Sequence, residues 1–353
     1  MSVTIKQIAQ LTGLSVPTVG NVLGRSADRY SKETRRRVLE AARTLGYRPN
    51  SSARAMRRGR SGCAALVLSR SRQQTHSYIP GGLLDGLDDE LALHNMHLTV
   101  SRLSDEELSS DDFVPKVLRE HMADGMIVNY THGIPPTMLE LIHAHHTPAV
   151  WLNAKLAEDC AYPDDLAAAR SVTADLLKLG HRRIALVHLV ARLGATGTFA
   201  DNKPQMHYSA LDRAAGYAGV MLDAGLEPRV LSHERYIEQD AHIEVCRALL
   251  SGANRPTAVL AYSEAQVLSL VVAARSLGLE IPRDLSVVVF APLGTNMGGY
   301  DLSVAAVPTR EMGHRAVRML LRKLQAPTVP CTPEPIAYGL AAGGTVSAPP
   351  ASS

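Results

Sequence analysis

From residue 63 onward, short apolar runs alternate with amphipathic stretches, and this alternation constrains the fold more than any other feature. The strand-like runs span residues 63–69, 98–102, 125–129, 148–152, 183–188, 257–262 and 286–290. Helical periodicity is found between them, at residues 82–94, 165–179, 210–224, 243–250 and 265–277. Strand–helix alternation of this length predicts doubly wound parallel sheets. About 290 residues are too many for one hydrophobic core, so we expect an α/β core of two lobes.

The first sixty residues differ from the rest of the chain in charge. They hold thirteen Lys and Arg against Asp28, Glu33 and Glu40, a net charge of +10, whereas the whole chain is only +3 and the remainder is therefore −7. A basic segment on an acidic body is typical of proteins whose one end binds a polyanion. The alternative is a disordered basic tail, but a tail would lack the apolar periodicity of this segment.

Three short helices are predicted in this basic segment from their caps. Thr4 with Gln7 forms a capping-box pattern, Ser15 precedes a second helix and Ser31 a third. Gly13 is free to adopt the positive φ that ends the first helix sharply. Two helices joined by such a turn form a helix-turn-helix, whose second helix enters the major groove of DNA. A small helical bundle that does not bind DNA is the alternative.

The segments TIKQIAQLTGLS (4–15) and SKETRRRVLEAARTLGYRPN (31–50), with the AR-x-M pattern at 53–56, resemble the lac repressor/galactose repressor family of bacterial transcription regulators. Residues 180–185 and 311–316 resemble its effector domain, so the resemblance covers residues 3–339. It implies a small all-α helix-turn-helix headpiece and a two-lobed α/β core that is similar to periplasmic solute-binding proteins.

The resemblance also implies the domain boundaries. We expect a headpiece at 1–48, a hinge helix at 49–60 and an effector-binding, dimerising core at 61–340. The chain would pass between lobes near Asp164, Pro292 and Leu324, which gives one lobe of about 61–163 plus 292–324 and another of about 164–291 plus 325–340. The Gly/Pro/Ser/Ala-rich residues 341–353 are predicted to be disordered. They contain no leucine heptad, which favours a dimer over a tetramer.

By this resemblance, Val16, Pro17 and Asn21 of the second helix read base edges, and Asn21 is suited to a bidentate contact with adenine. Two departures, Gly20 where serine is common and Asn21 where arginine is common, leave the target sequence open. Met56 takes the place of the hinge leucine that enters the minor groove. Its alternative is an ordinary linker residue. The complete predicted DNA-binding set is Thr4, Ser15, Val16, Pro17, Thr18, Asn21, Arg25, Tyr30, Asn50, Ala53, Arg54, Met56 and Arg57.

A ligand site is expected beyond the carboxyl ends of the core strands. The resemblance adds Arg213, as the arginine that binds the effector, and Asp164. The complete predicted effector set is Ser69, Ile79, Asn129, Asn153, Asp164, His188, Arg213, Ser263, Glu264 and Ala291. Sugar-binding members of the family typically carry aspartate at the position of Ala291, Asn-Asp at Ser263-Glu264 and often aspartate at Asn153. These acceptors for sugar hydroxyls are therefore weakened or lost in this chain. Either the effector is not an ordinary neutral sugar, with an anionic or less hydroxylated ligand favoured, or Glu264 and Asp164 take over, or sensing is lost.

Other classes of function have weak support in the sequence. The loop at 188–208 is longer than the family's, and either a lid over the cleft or a tolerated insertion fits it. His143, His145 and His146 match no common metal site, and the four cysteines are scattered singly as in reduced cytoplasmic proteins. No membrane-length apolar run, signal peptide or common catalytic motif is found, so we expect no enzyme, no cofactor and no membrane partner.

The sequence thus predicts a cytoplasmic, homodimeric transcription repressor that binds a pseudopalindromic double-stranded DNA operator and a small-molecule effector. The alternative is a solute-binding or sugar-processing protein with an incidental basic N-terminus. The operator, the regulated genes, the effector and the sign of regulation are not predicted.

Overall fold

The computed structural model divides the chain into two units, Met1–Ser61 and Gly62–Ser353. The residues that it describes are 3–24, 27–48, 59–70, 79–104, 123–129, 136–188, 207–232 and 238–350. Residues 49–58 of the predicted hinge (49–60) and residues 189–206 of the long loop therefore lie outside the described residues. The first unit contains the basic headpiece, and the second contains the α/β core.

Three helices form the headpiece, and each begins after the residue that the sequence predicts as its cap. They are α1 (Ile5–Thr12), α2 (Val16–Val22) and α3 (Lys32–Thr44), with a 3-10 turn at Ala27–Arg29 before α3. The Thr4 amide donates to Gln7 Oε1 at 2.8 Å, which confirms the capping box. Ser15 and Ser31 each accept a hydrogen bond from the backbone N–H three residues later.

The headpiece has its own hydrophobic core, to which every helix contributes. Ile8 of α1, Val19 of α2 and Val38 of α3 are fully buried against one another. Gly13 takes a φ of +64° between α1 and α2, the left-handed conformation that only glycine adopts without strain. The helix-turn-helix prediction is therefore confirmed as a fold.

The first sheet of the core unit is entirely parallel. Its strands are β1 (Cys63–Arg70), β2 (His97–Ser104), β3 (Gly125–Asn129), β4 (Ala149–Leu152), β5 (Cys160–Pro163) and β13 (Glu334–Ile336), in the order β13-β5-β4-β3-β1-β2. Helices α4 (Gly81–Leu93) and α10 (Thr309–Gln325) cover one face, and α5 (Pro136–Ala144) packs on the other. Because both faces are covered, the central strands β3 and β4 are buried along their whole length.

The second sheet repeats this plan with one antiparallel edge. Its strands are β6 (Ile184–His188), β7 (Arg229–Ser232), β8 (Ala258–Ala261), β9 (Ser286–Ala291), β12 (Ser303–Ala306) and β14 (Gly339–Ala341), in the order β14-β12-β9-β8-β6-β7. Only β14 runs antiparallel to its neighbour. Helices α6 (Asp165–Lys178) and α7 (Tyr208–Asp223) pack on one face, and α8 (Gln239–Leu250) and α9 (Glu264–Ser276) on the other. A small hairpin, β10 (Asn296–Met297) with β11 (Tyr300–Asp301), connects β9 to β12.

Two of the three predicted lobe crossings are displaced. The crossing at Asp164 agrees with the sheets, but the chain stays in the second lobe past Pro292, because β12 pairs in parallel with β9. It stays in the first lobe past Leu324, because β13 pairs with β5. The second and third crossings therefore lie between β12 and α10 and between β13 and β14. The predicted lobe ranges 292–324 and 325–340 were wrong to that extent.

Helices α4 and α10 approach each other through glycines. A Cβ built on Gly313 would lie 2.6 Å from the Leu87 backbone nitrogen, and one on Gly86 would lie 2.0 Å from the Arg310 carbonyl oxygen. Both distances are shorter than any van der Waals contact, so no side chain fits at either position. The glycines let the two backbones touch on the first sheet.

Residues 341–350 pack on the second lobe, which contradicts the disorder predicted for them, whereas residues 351–353 of that prediction lie outside the described residues. Thr345 is buried, and its hydroxyl donates to the Val287 carbonyl at 2.7 Å. The Ser347 carbonyl accepts from the hydroxyl of Ser286 and lies 2.9 Å from the ring Nε2 of buried His181. The composition predicts disorder because the residues of this segment are small and polar. In the structure these polar groups form hydrogen bonds with residues of the second lobe.

Candidate functional site

The outward face of α2 carries the residues predicted to read DNA. Val19 and Val22 are buried in the headpiece core, which turns Val16, Pro17 and Asn21 toward solvent. Val16 is 46% exposed although it is apolar. An exposed apolar side chain on the second helix of a helix-turn-helix is suited to a thymine methyl group.

The other described residues of the predicted DNA-binding set either cap a helix or take part in a hydrogen bond between Asn21 and Tyr30. Thr4 and Ser15 cap α1 and α2, and the Thr18 hydroxyl lies 2.8 Å from that of Ser15. The Asn21 amide nitrogen donates to the Tyr30 hydroxyl at 3.0 Å. The predicted positions that lie outside the described residues are Arg25, Asn50, Ala53, Arg54, Met56 and Arg57.

Not every arginine of the headpiece is available for phosphate. Arg37 donates to the Thr12 carbonyl at 2.7 Å and so ties α3 to the end of α1. Arg35 pairs with Asp28 at 3.3 Å. The high net charge therefore includes arginines that hold the headpiece together.

Arg213, on α7, is the centre of the core unit's polar cluster. The side chain is buried, and each guanidinium nitrogen donates one hydrogen bond: Nε to the Asp165 carboxylate at 2.6 Å, Nη1 to the Tyr262 carbonyl at 2.7 Å and Nη2 to the Tyr338 hydroxyl at 3.1 Å. The guanidinium also lies over the ring of Phe290, 4.2 Å from its centroid. Its charge is thus compensated within the protein.

This cluster joins two of the lobe crossings. Asp165 follows the first crossing directly, and Tyr338 lies in the third, between β13 and β14. The Tyr338 hydroxyl donates to the same Asp165 oxygen at 2.7 Å and completes a triangle with Arg213. The triangle therefore lies beside two of the segments that connect the lobes.

A second group of contacts joins the two lobes directly. Asn153, after β4 of the first lobe, accepts at its backbone carbonyl from the ring Nε2 of His207 at 2.8 Å. Since that nitrogen must donate, Nδ1 of a neutral His207 accepts from the Ser209 hydroxyl at 2.8 Å. The Ser209 oxygen then accepts from the Tyr262 hydroxyl at 2.7 Å. A hydrogen-bonded chain thus runs from one lobe to the end of β8 in the other.

Burial controls the protonation of the groups around Arg213. It raises the pKa values of Tyr208 and Tyr338 well above the usual tyrosine range, so both hydroxyls keep their protons. Burial, and then the charge of Arg213, lower the pKa of His188 to about 4. His188 packs against the Tyr262 ring at 4.3 Å between centroids and is neutral at physiological pH.

The other predicted effector residues lie at strand ends, as expected, but contacts do not join them into one group. Asn129 ends β3, is 7% exposed, and its Oδ1 has no hydrogen-bond partner among the described residues. Ser263 and Asp164 are helix caps: Ser263 bonds to Gln266, and Asp164 accepts from the Ala167 amide at 3.1 Å. Ala291 is buried at the end of β9. Three positions remain. Ser69 is the last residue but one of β1, and its side chain lies outside the described set; Ile79, before α4, and Glu264, at the start of α9, are half-buried.

Sequence reasoning missed five polar residues of these two groups of contacts. Asp165, Tyr262 and Tyr338 surround Arg213, whereas His207 and Tyr208 both bond to Asn153, the Tyr208 hydroxyl donating to its Oδ1 at 3.4 Å. Tyr262 could have been predicted, since it is the last residue of the strand predicted at 257–262 and ligand sites lie beyond strand ends. Tyr338 gave no local signal, because it is 125 positions from Arg213 and 173 from Asp165 along the chain.

No group of His, Cys, Asp or Glu suited to a metal ion occurs among the described residues, and these include His143, His145 and His146. All four cysteines are free, and burial raises the pKa of Cys246 to about 12. In the part of the chain that the structure describes, no helix is long and apolar enough to cross a bilayer.

Comparison with known families matches both units. Residues 4–50 match the family described as bacterial regulatory proteins, lacI family, and residues 173–346 match the periplasmic binding protein-like domain. The chain is 29% identical over 330 residues to the HTH-type transcriptional regulator AglR of Rhizobium meliloti (strain 1021), covering 92% of this chain and 87% of that protein. It is 24% identical over 329 residues to the HTH-type transcriptional repressor CytR of Escherichia coli (strain K12), covering 91% and 90%.

Solved structures share the fold. A crystal structure of the lac repressor dimer bound to operator and the anti-inducer ONPF aligns with a TM-score of 0.76 at 20% identity, covering 99% of this chain and 100% of that one. A complex of the transcriptional regulator CelR with cellobiose aligns with a TM-score of 0.64 at 23% identity, covering 97% and 99%.

Proposed function

Because this chain belongs to the lacI family of bacterial regulatory proteins and is a DNA-binding transcription regulator, we propose that it is a repressor controlled by a small molecule. It binds a pseudopalindromic operator as a homodimer, in the cytoplasm where DNA is found, and has no enzymatic role. The observation that carries this proposal is the face of α2, on which Val16, Pro17 and Asn21 are exposed while Val19 and Val22 fix the helix in the headpiece core.

The hinge supplies the second DNA contact. Met56, with Arg54 and Arg57, is proposed to enter the minor groove next to each half-site. An apolar side chain inserted between two base pairs costs unstacking energy, but it bends the DNA and so increases its contact with the protein. Truncating Met56 to Ala should therefore weaken specific binding more than nonspecific binding, whereas an ordinary linker residue would leave both unchanged.

The cleft between the lobes is the proposed effector site. Arg213 lends little support to an anionic effector, since Asp165 already compensates its charge and each of its nitrogens already donates a bond. The buried Oδ1 of Asn129 is an acceptor suited to a ligand's hydrogen-bond donor, and Tyr262 and His188 line the opposite strand ends. We therefore favour an uncharged, sparsely hydroxylated ligand over an anion. A thermal-shift screen in which only anions stabilise the protein would contradict this choice.

Two copies of the core are proposed to form the dimer. Leu268 and Val272 are exposed four residues apart on one face of α9, and Leu293 is exposed on the loop after β9. In a twofold dimer the same patch of each copy meets its equivalent, and we propose that this apolar stripe is that patch. Leu268→Asp with Val272→Asp should give the monomer mass in light scattering, whereas Leu222→Asp, on α7, should leave the dimer intact.

We propose that effector binding is coupled to DNA affinity through the segments that connect the two lobes. An effector changes DNA affinity only if it binds one lobe arrangement more tightly than the other. The triangle of Arg213, Asp165 and Tyr338 and the chain from Asn153 to Tyr262 are the contacts that would differ between arrangements.

A gel shift with genomic fragments tests the proposed function. The full chain should retain a small set of fragments at moderate salt, and Asn21→Ala should lose them while keeping its fold by circular dichroism. Retention of no specific fragment would favour the alternative of a solute-binding protein with an incidental basic segment.

A further inference from the structure

The hydrogen bond between Asn21 and Tyr30 joins an exposed side chain of α2 to an anchored one. Asn21 is exposed, whereas the Tyr30 ring is half-buried against the headpiece core, directly after the 3-10 turn. The Tyr30 hydroxyl accepts from Asn21 Nδ2 at 3.0 Å. One end of the amide is thus held by a group that cannot move without disturbing the core.

The orientation of this amide decides which base it can read. A carboxamide has two N–H donors at one end and a carbonyl acceptor at the other, and its terminal torsion is broad and nearly twofold, so a free exposed amide exchanges its ends. Reading adenine requires one N–H toward N7 and the carbonyl oxygen toward the N6 amino group. The bond to Tyr30 uses one N–H and leaves one N–H and the oxygen for a base.

We propose that Tyr30 is a positioning residue for base readout: its hydroxyl fixes the Asn21 amide so that Asn21 selects adenine. The proposal rests on the DNA-binding function proposed above and adds a determinant of its specificity. The Tyr30 hydroxyl keeps its own hydrogen, which it donates to a phosphate oxygen when DNA is bound. Because its hydrogen is then used, the Tyr30 oxygen can only accept a hydrogen bond. The opposite orientation of the Asn21 amide, with Oδ1 toward Tyr30, is therefore excluded, since an amide oxygen cannot donate.

The alternative is that the bond between Asn21 and Tyr30 acts as a brace, that is, it only stabilises the headpiece fold. This role makes a different prediction. A brace lost on mutation would weaken binding to every sequence alike and lower the melting temperature. A lost positioning bond changes the preference at one base pair in each half-site and leaves the others unchanged.

Selection from a random duplex library separates these roles. The full-length chain, Asn21→Ala, Tyr30→Phe, the double variant and Tyr47→Phe are each used to enrich binding sites, which are then sequenced. Tyr47 is the matched control, because its ring is also half-buried on the headpiece core. The base pair read by Asn21 is the one whose preference Asn21→Ala removes.

The expected result is that Tyr30→Phe lowers the preference for adenine at that base pair about five- to tenfold, at the lower end of the range that one bidentate contact supplies. Other positions should be unchanged, Tyr47→Phe should match the parent, and the double variant should match Asn21→Ala. An unchanged preference in Tyr30→Phe, or an equal loss at all positions, would overturn the inference. If the parent chain enriched no sequence at all, the proposed function itself would fail, and the inference with it.

Discussion

The headpiece and the interlobe cluster were both predicted from sequence as binding surfaces, yet they differ in how their side chains are used. On α2, Val16 and Pro17 point outward with no internal partner to give up. In the core, Arg213 is already bonded through every nitrogen, and Asp164 and Ser263 cap helices.

The difference lies in where the partners come from. The exposed face of a short helix follows from its own periodicity and from the neighbours that pack beneath it, within about thirty residues. The partners of Arg213 come from three separate parts of the chain: two lie at crossings between the lobes, and the third follows β8 within the second lobe. We therefore regard the headpiece as a surface that meets its ligand directly and the cluster as a preassembled network that a ligand must rearrange.

The largest expected effect comes from breaking that network. Arg213→Ala leaves the Asp165 carboxylate buried beside the Tyr338 hydroxyl without a cation, which costs about 3–5 kcal/mol of unfolding free energy. Urea denaturation followed by the core's circular dichroism measures it. Arg170→Ala is the control, because its pair with Asp223 is exposed and should contribute less than about 1 kcal/mol. Equal effects of the two substitutions would contradict the network.

Acidification should weaken the same region. An exposed histidine titrates near 6.5, whereas the pKa of His188 is lowered to about 4. Between these values the unfolded chain binds a proton that the folded chain does not, so the free energy of unfolding falls as the pH drops from about 6.5 to 4, by up to about 3 kcal/mol from this residue.

His188→Gln should reduce that loss, although buried His181, whose pKa burial also lowers, keeps part of it. His143→Gln, at an exposed position of α5, is the control for replacing a histidine by glutamine and should leave the free energy of unfolding at neutral pH unchanged. A profile unaltered by His188→Gln would mean that His188 is not held neutral.

Backbone contact between α4 and α10 gives a smaller effect. Gly313→Ala places a methyl group 2.6 Å from the Leu87 nitrogen, so the helices must separate, at about 1–3 kcal/mol. Gly219→Ala on α7 meets only the end of the Arg170 side chain, at 3.1 Å. It should be neutral or slightly stabilising, because alanine favours a helix. Thermal unfolding of the two variants makes the comparison, and a loss in both would refute it.

The smallest effect is expected in the headpiece. Ser15→Ala removes the α2 cap and should cost about 1 kcal/mol, seen as a lower melting point of the headpiece helices. Thr44→Ala removes an exposed hydroxyl that bonds only within α3 and should change little. If Ser15→Ala instead destabilised the core, the caps would not be acting locally.

These contrasts also explain what the sequence could predict. The caps Thr4, Ser15 and Ser31 were found because capping is a matter of three or four neighbouring residues. The strand at 125–129 was found because it is buried on both faces. The crossings near Pro292 and Leu324 were misplaced, since the pairing of β12 with β9 and of β13 with β5 depends on distant strands. The order of the chain end depends on His181 and Ser286, which no local composition reveals.

The central claim is that α2 of the headpiece is the surface that meets DNA. Hydrogen–deuterium exchange of the full chain, with and without a duplex enriched by selection, measures this directly. We predict slower amide exchange in Val16–Val22 on adding the duplex, with a scrambled duplex of equal length giving a much smaller change. Slower exchange confined to residues 62–350, or equal protection by both duplexes, would contradict the claim.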